Sequence, residues 1–325
     1  MGDVMAFEEY ALVTYSEEVT WGTDPLASRL PFLGVMRNWK VTTDHNVEAY
    51  YEGQNAQPQG YMERARDVHL TFECDLKDDN PANSLLAFAF GGVPNGGTGV
   101  VTNRHSLTNR DLRSFTMQAG IDWSQTDEWW RVRGCKIRRA EIDWNFKQHL
   151  VKAKMDVVPR YFDKQSTPHV DISAISPSAL APFDPQAHGT YTLANPTIAG
   201  IIANNLKVVV ENGILTDGVI KSGAASDRYI GLAAPIGTSV FVELDTYRSV
   251  DDFLDQYTAA RDTAAAEVDF TLTLSRAAAA QFIKITLTDC QLLGAYDLEW
   301  RMEKGVAIEH LRFQAKTWQL DVLTP

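Results

Sequence analysis

Val68-His-Leu-Thr-Phe-Glu-Cys-Asp-Leu76 alternates apolar and polar side chains almost without a break. A period of two puts Val68, Leu70, Phe72 and Cys74 on one face of an extended chain and His69, Thr71, Glu73 and Asp75 on the other, the pattern of a half-buried strand. Val240-Phe-Val-Glu-Leu244 repeats the pattern less cleanly, and Val268-Asp-Phe-Thr-Leu-Thr-Leu274 adds β-branched residues and Phe. Helical patterns are scarce. Asn83 to Phe90 fits a short helix with Asn83 as its cap. Val250 to Arg261 fits another, with Ser249 as cap, Asp251 and Asp252 in the first turn, and Phe253, Leu254 and Tyr257 on one face. Many strands with about one short helix per half predict a mainly β protein.

The chain has 325 residues, 45% of them hydrophobic and 22% charged. That length suggests about two domains, and the composition supports packed cores rather than disorder. Residues 163–190 hold Pro168, Pro177, Pro182 and Pro185 among Ser, Ala, Asp and Gly, the make-up of a connection with little regular structure. The expected organisation is a first β domain over 1–162, this connection, and a second β domain over 191–325. A Gly-rich loop runs from Gly91 to about Arg110.

Net charge is −12 and the pI is about 5.0, which disfavours a broad grip on nucleic-acid phosphates or on anionic membranes. The N-terminus carries acids where a signal peptide needs Lys or Arg, Ala6 breaks the myristoylation pattern, and no apolar run is long enough for a membrane helix. Cys74, Cys135 and Cys290 are odd in number and lack CxxC spacing, so they are read as small buried apolar residues. The histidines show no HExxH, and there is no phosphate-cradling GxxxxGK[ST], no GxGxxG opening a helix, no complete calcium loop and no GxSxG elbow. No cofactor, metal or catalytic residue is expected.

The two halves read as copies. Trp39-Lys-Val-Thr-Thr-Asp44 lies on Leu206-Lys-Val-Val-Val-Glu211, and Phe72-Glu-Cys-Asp75 on Val242-Glu-Leu-Asp245. Ser114-Phe-Thr-Met117 lies opposite Glu267-Val-Asp-Phe-Thr-Leu272, Gly134-Cys135 meets Asp289-Cys290, and Ile142-Asp-Trp144 meets Leu298-Glu-Trp300. The blocks keep their order, which single chance matches do not.

Three stretches give the sequence a family resemblance. Ser16-Glu-Glu-Val-Thr-Trp-Gly-Thr23 has an E-x-T-x-G-T opening. Ser114-Phe-Thr-Met-Gln-Ala is followed by Gly134-Cys-Lys-Ile and by strands ending in Lys154-Met-Asp-Val-Val158. Leu206-Lys-Val-Val-Val-Glu-Asn-Gly213 leads through Val250-Asp-Asp-Phe253 to Ile308-Glu-His-Leu-Arg-Phe-Gln-Ala315. In these the chain resembles the bacteriophage tail tube proteins, in a long form with two tandem tube-type domains. The resemblance implies a β-sandwich or small barrel with a flanking helix, and a structural virion protein rather than an enzyme. It implies stacked rings, each of three chains in pseudo-sixfold arrangement, forming a hollow tube. The implied partners are further copies of the chain and other tail components (tape measure, terminator, and baseplate or tip proteins). DNA would pass through the lumen without specific binding, and the location would be the virion tail after synthesis in the host cytoplasm. The Gly91–Arg110 segment departs from the family pattern. With residues 1–30 it is expected to contact neighbouring rings.

Strand alternation sharpens this picture. Glu141 and Asp143 share one face, with Ile142 and Trp144 opposite; Asp297 and Glu299 share one face, with Leu298 and Trp300 opposite. The expectation is that Cys135, Trp144, Cys290 and Trp300 form a buried, repeat-equivalent core, and that Glu141, Asp143, Asp297 and Glu299 line the channel and repel phosphates. Asp127-Glu128 beside Trp129-Trp130, with Trp123 close by, supports an alternative: a two-module β-sandwich adhesive or carbohydrate-binding virion protein. A hydrolase using Asp127 or Glu128 ranks behind it.

Overall fold

The computed structural model describes residues 11–23, 30–31, 36–44, 47–50, 60–63, 67–76, 82–91, 98–102, 112–121, 128–145, 150–165, 183–184, 187, 189–194, 203–217, 232–247, 267–275, 282–293, 297–301 and 306–323. The fold is mainly β. In chain order the elements are β1 (Ala11–Glu17), β2 (Leu30–Pro31), β3 (Met36–Asp44), β4 (Val47–Tyr50), β5 (Gly60–Glu63), β6 (Asp67–Asp75), α1 (Ala82–Ala89), β7 (Thr98–Thr102), β8 (Phe115–Ile121), β9 (Glu128–Asn145), β10 (Lys152–Val158), β11 (Tyr161–Gln165), β12 (Gly189–Ala194), β13 (Ala203–Asp217), β14 (Leu232–Tyr247), β15 (Val268–Ser275), β16 (Phe282–Leu292), β17 (Asp297–Arg301), β18 (Val306–Gln314) and β19 (Thr317–Leu323).

The antiparallel pairings build a long sheet in the order β3-β6-β10-β9-β13-β14-β18-β17. Its first four strands come from the first half of the chain and its last four from the second. Pairing of β9 with β13 joins them from Asn145↔Asn205 to Arg139↔Glu211. Two further layers complete the sandwich: β2-β1-β8-β9-β11 in the first half and β12-β15-β16-β19 in the second, the latter extended by β7. β4 and β5 form a separate hairpin.

The halves repeat both strand order and register. Val41 faces Leu70, as Val208 faces Val242; Cys74 faces Ala153, as Thr246 faces Glu309; Lys154 faces Glu141, as His310 faces Asp297. Phe115 faces Cys135 and Val268 faces Cys290, and a register shift follows each pair. Pairing makes Leu70 the counterpart of Val242, where the sequence blocks aligned Phe72 with it. The slip spans one strand period, so every side chain keeps its face.

β9 serves two layers. Its first part pairs with β8 and β11, and its second with β10 and β13. The change of layer falls at Gly134, with φ +67, a left-handed conformation that glycine adopts at little cost. Asp289 holds the corresponding place in β16 with φ 51.

The core lies between the layers. Leu70, Phe72, Cys74, Ile142, Trp144, Val208 and Phe313 come from the long sheet, and Phe115, Met117, Phe270 and Leu287 from the layers facing it; all belong to one buried cluster. α1 contributes Leu85, Leu86 and Phe88, followed by the buried Phe90 just past its end, and Phe88 stacks on Phe115 at 5.5 Å. The buried Asn212 side chain donates to the carbonyls of Ala89 and Ile137 (2.8 and 3.0 Å) and accepts from the Thr238 hydroxyl at 2.7 Å. One satisfied amide thereby pins the end of α1 to the β9–β13 junction.

α1 starts at Ala82, which puts Asn83 inside the helix rather than at its cap. The helix expected over Val250–Arg261 lies outside the described residues. Within 163–190, β11 continues to Gln165, and Phe183 is buried, donating its amide to the Leu76 carbonyl (2.8 Å) and accepting from the Val151 amide (3.0 Å). Part of that proline-rich stretch is therefore anchored in the first half. Within residues 1–30, Ala11–Glu17 forms β1, which pairs along its whole length with β8. Within the Gly91–Arg110 loop, Thr98–Thr102 is a strand laid against β19 of the second half.

Candidate functional site

Paired residues in a sheet share a face, so the buried face of the long sheet defines the opposite one. Opposite the core, β9 presents Arg139, Glu141 and Asp143, β13 presents Lys207, Val209 and Glu211, β14 presents Phe241, Glu243 and Asp245, and β18 presents His310 and Arg312. Six of these form a closed ring of alternating charge. Arg139 contacts Glu141 at 2.7 Å, Glu141 contacts Lys207 at 3.6 Å, and Lys207 contacts Glu243 at 3.8 Å. Glu243 contacts Arg312 at 3.5 Å, Arg312 contacts Glu211 at 4.0 Å, and Glu211 returns to Arg139 at 3.8 Å. The ring spans β9, β13, β14 and β18, and its formal charges cancel.

Val209 lies inside this ring at 0% exposure although it faces away from the core, and Phe241 beside it lies under the Arg312 guanidinium at 4.3 Å. Long charged side chains cover two apolar ones by laying their stems across them. Exposed ion pairs contribute little singly; here the network fixes the orientation of the charges.

The four acids singled out from sequence fall as follows. Glu141 lies in the ring. Asp143 is half-buried next to it, opposite Lys207 and Lys152 in the register. Burial pushes the Asp143 carboxyl pKa up and Glu141 adds to the rise, against the opposing pull of Lys207 and Lys152. Glu299 is exposed and approaches His310 Nε2 at 3.4 Å. Asp297 is placed by register only, opposite His310. Of the four core candidates, Cys135, Trp144 and Cys290 are buried, and Trp300 is placed by register opposite the buried Ala307. Burial pushes the Cys290 thiol up to about 12, with Asp269 and Asp289 adding to the rise, and it drives Cys135 well above the ordinary thiol value.

His310 joins the two acids at the far end of the sheet, with Nδ1 2.6 Å from Asp245 and Nε2 3.4 Å from Glu299. Partial burial pulls its pKa down, but the hydrogen bonds and charges of Asp245 and then Glu299 outweigh that pull, so the value lies above the ordinary 6.5. A raised folded pKa means that the charged imidazole contributes stability in full below the unfolded value of about 6.5 and loses it as pH rises through the folded value. His310→Gln should therefore lower the unfolding midpoint at pH 5.5 and change it little at pH 8.5, as followed by chemical denaturation. An equal loss at both pH values would remove the charge from the explanation.

A second polar centre supports the first half. The Glu18 carboxylate is 6% exposed and accepts from the Gly22 amide (2.7 Å), the Ser114 hydroxyl (2.7 Å), the Thr116 hydroxyl (2.6 Å) and the Gly134 amide (2.7 Å). Trp21 Nε1 donates to the Gly134 carbonyl at 2.9 Å, and Arg160 covers the Trp21 ring at 4.5 Å. The S-E-E-V-T-W-G-T stretch is thus a turn whose acid holds the bend of β9. In the second half Asp269 does this work, accepting from the Asp289 amide at 2.9 Å.

Of the sugar-stacking candidates, Trp129 and Trp130 have described neighbours. Trp129 is buried over Gly120, and Trp130 stacks on Phe162 at 5.4 Å with Lys164 above it. Trp123 and Asp127 lie outside the described residues, and Glu128 is placed by register opposite Ile121. Sequence reading picked out the acids and missed their cations. Arg139 stands two positions before Glu141, and Lys207 directly follows Leu206 in the first repeat block, so counting both signs along the alternation would have found them.

The described residues form a β-sandwich whose halves repeat strand order and register, with one charged sheet face. The chain matches the phage tail tube protein family over residues 11–307 and belongs to that family. No curated protein matches it. It is a structural component of a bacteriophage tail.

Proposed function

We propose that the chain forms rings of three copies that stack into the hollow tail tube, with the charged face of the long sheet lining the channel through which the genome leaves. One observation carries this reading: the strands run β3-β6-β10-β9 and then β13-β14-β18-β17, in matching register, within one sheet. A duplicated module already joined edge to edge once within the chain accounts for that arrangement. Among the described residues neither β3 nor β17 has a partner on its outer side, and open edges of this kind are closed in stable assemblies.

Such a wall would be a charge-compensated lattice rather than a plain acidic surface. The ring cations Arg139, Lys207 and Arg312 are each held by carboxylates, so they are poorly placed to grip passing phosphates, while Asp143, Asp245 and Glu299 add negative charge around the ring. The two domains, 1–162 and 191–325, would be the two copies of the module, and tape measure, terminator and baseplate or tip proteins would meet the tube at its ends.

The test is imaging of tails carrying Glu141→Gln, Asp143→Asn, Asp297→Asn and Glu299→Gln together. Tubes of normal width with threefold rings and slowed genome ejection are expected. Solid rods or an absence of rings in the unsubstituted tail would end the tube reading. Unchanged ejection and titre from the substituted tails would end the assignment of this face to the channel.

A further inference from the structure

The geometry points to a specific register between neighbouring copies: β17 of one copy pairs antiparallel with β3 of the next, with Glu299 opposite Lys40, Leu298 opposite Val41 and Asp297 opposite Thr42. The inference rests on the ring reading and adds to it which residues meet.

The β9–β13 junction supplies the template. There Asp143 faces Lys207, Ile142 faces Val208 and Glu141 faces Val209. Matching registers make β3 the counterpart of β13, with Val41 in the place of Val208, and β17 the counterpart of β9, with Asp297 in the place of Glu141. Transferring the internal junction to the open edges therefore gives the register stated, with no freedom to slide.

Burial at the open edge supports the transfer independently. Leu206 and Val208, covered by β9, are 1% and 0% exposed. Their counterparts Trp39 and Val41 pack against the same core but are only partly buried, and Lys40 between them is exposed. An unfinished apolar margin flanking a lysine fits a strand that brings a carboxylate to that lysine. At the internal junction the corresponding charges are Lys207 and Asp143, and they too have opposite signs. A slip by one residue would put apolar positions against the charged face; a slip by two one way would set Arg301 opposite Lys40, and the other way would set Asp297 there, which departs from the internal template.

The experiment compares thiol pairs in tubes assembled in infected cells. The three native cysteines are buried and remain in place. Lys40→Cys with Glu299→Cys, bridged by a short bis-thiosulfonate reagent, should give covalent dimers and closed trimers on denaturing gels, at least ten times above the level of either single variant. Thr42→Cys with Arg301→Cys, four positions out of register, should stay at that background. Tubes that form normally while the first pair stays unlinked, or while the second links as strongly, would overturn the register and leave the ring reading standing. If the unsubstituted chain makes no rings, both fail. If only the first double variant fails to assemble, Thr42→Cys with Asp297→Cys tests the same register one period along, and its failure to link in assembled tubes overturns it.

Discussion

Replacing Glu18 with alanine should be among the most damaging single changes in this protein, with a loss of about 3–5 kcal/mol in unfolding free energy. Glu18 is buried and accepts from two backbone amides and two hydroxyls, at 2.6 to 2.7 Å. Alanine would leave all four donors without an acceptor, and each buried unsatisfied donor costs about 1–3 kcal/mol, less than additively where water enters the space. Glu18→Gln keeps the shape but turns an NH2 toward donors, so a loss of about half that size is expected. Asp269→Asn, whose Oδ1 can still accept the bond from the Asp289 amide, should cost less than either. Guanidinium unfolding followed by tryptophan fluorescence checks the order. An alanine variant within about 1 kcal/mol of the parent would mean that the four bonds are replaceable by water. The consequence for assembly follows from position. Glu18 holds Gly134, where β9 leaves one layer for the other, and β9 then pairs with β13 at the junction between the halves. Loosening the bend should lower tube yield as well as stability.

The fold was legible where the sequence carries a period. Val68 to Leu76 alternates because one face of β6 is core and the other is charged, and the structure buries Val68, Leu70, Phe72 and Cys74 on one side. The repeat blocks were legible for the same reason: the positions that recur are those facing the core or setting a bend, such as Cys135 and Cys290. Register was harder to read. Phe72 and Val242 look alike as apolar residues before a glutamate, and only the partner strand shows that Val242 corresponds to Leu70. Pairing across the chain was not legible at all. The contact of β7 with β19 and the burial of Phe183 beside Leu76 and Val151 depend on where distant segments meet, and local composition there says only loop. The acids of the charged face were visible because Asp and Glu stand next to Trp144 and Trp300. Of their cations, Arg139 lies on the same strand two positions before Glu141, but Lys207 and Arg312 lie on other strands, so the closed ring became visible only with the register.

Gly120 should tolerate no side chain while Trp129 remains. A Cβ built at Gly120 would lie 1.8 Å from Cε3 and 2.1 Å from Cζ3 of Trp129, far inside any real contact. The two residues face each other across β8 and β9, and Trp129 is 2% exposed, so its ring has no free direction in which to retreat. Gly120 carries no left-handed strain, and the penalty is one of packing. Overpacking of this kind costs about 1–3 kcal/mol, occasionally more, and here the overlap involves ring carbons rather than the flexible end of a chain, so Gly120→Ala belongs at the upper limit. Trp129→Leu alone should also destabilise, by opening a cavity where the indole lay. Together the two changes relieve each other, since the new methyl enters space the indole has vacated. The double variant should therefore be more stable than the sum of the single losses requires, by about 1–2 kcal/mol in a double-mutant cycle read from guanidinium unfolding. Strictly additive losses would show that the indole moves aside without cost, and with it would go the account of Trp129 as a packed wall of the sandwich rather than a surface for stacking on sugars.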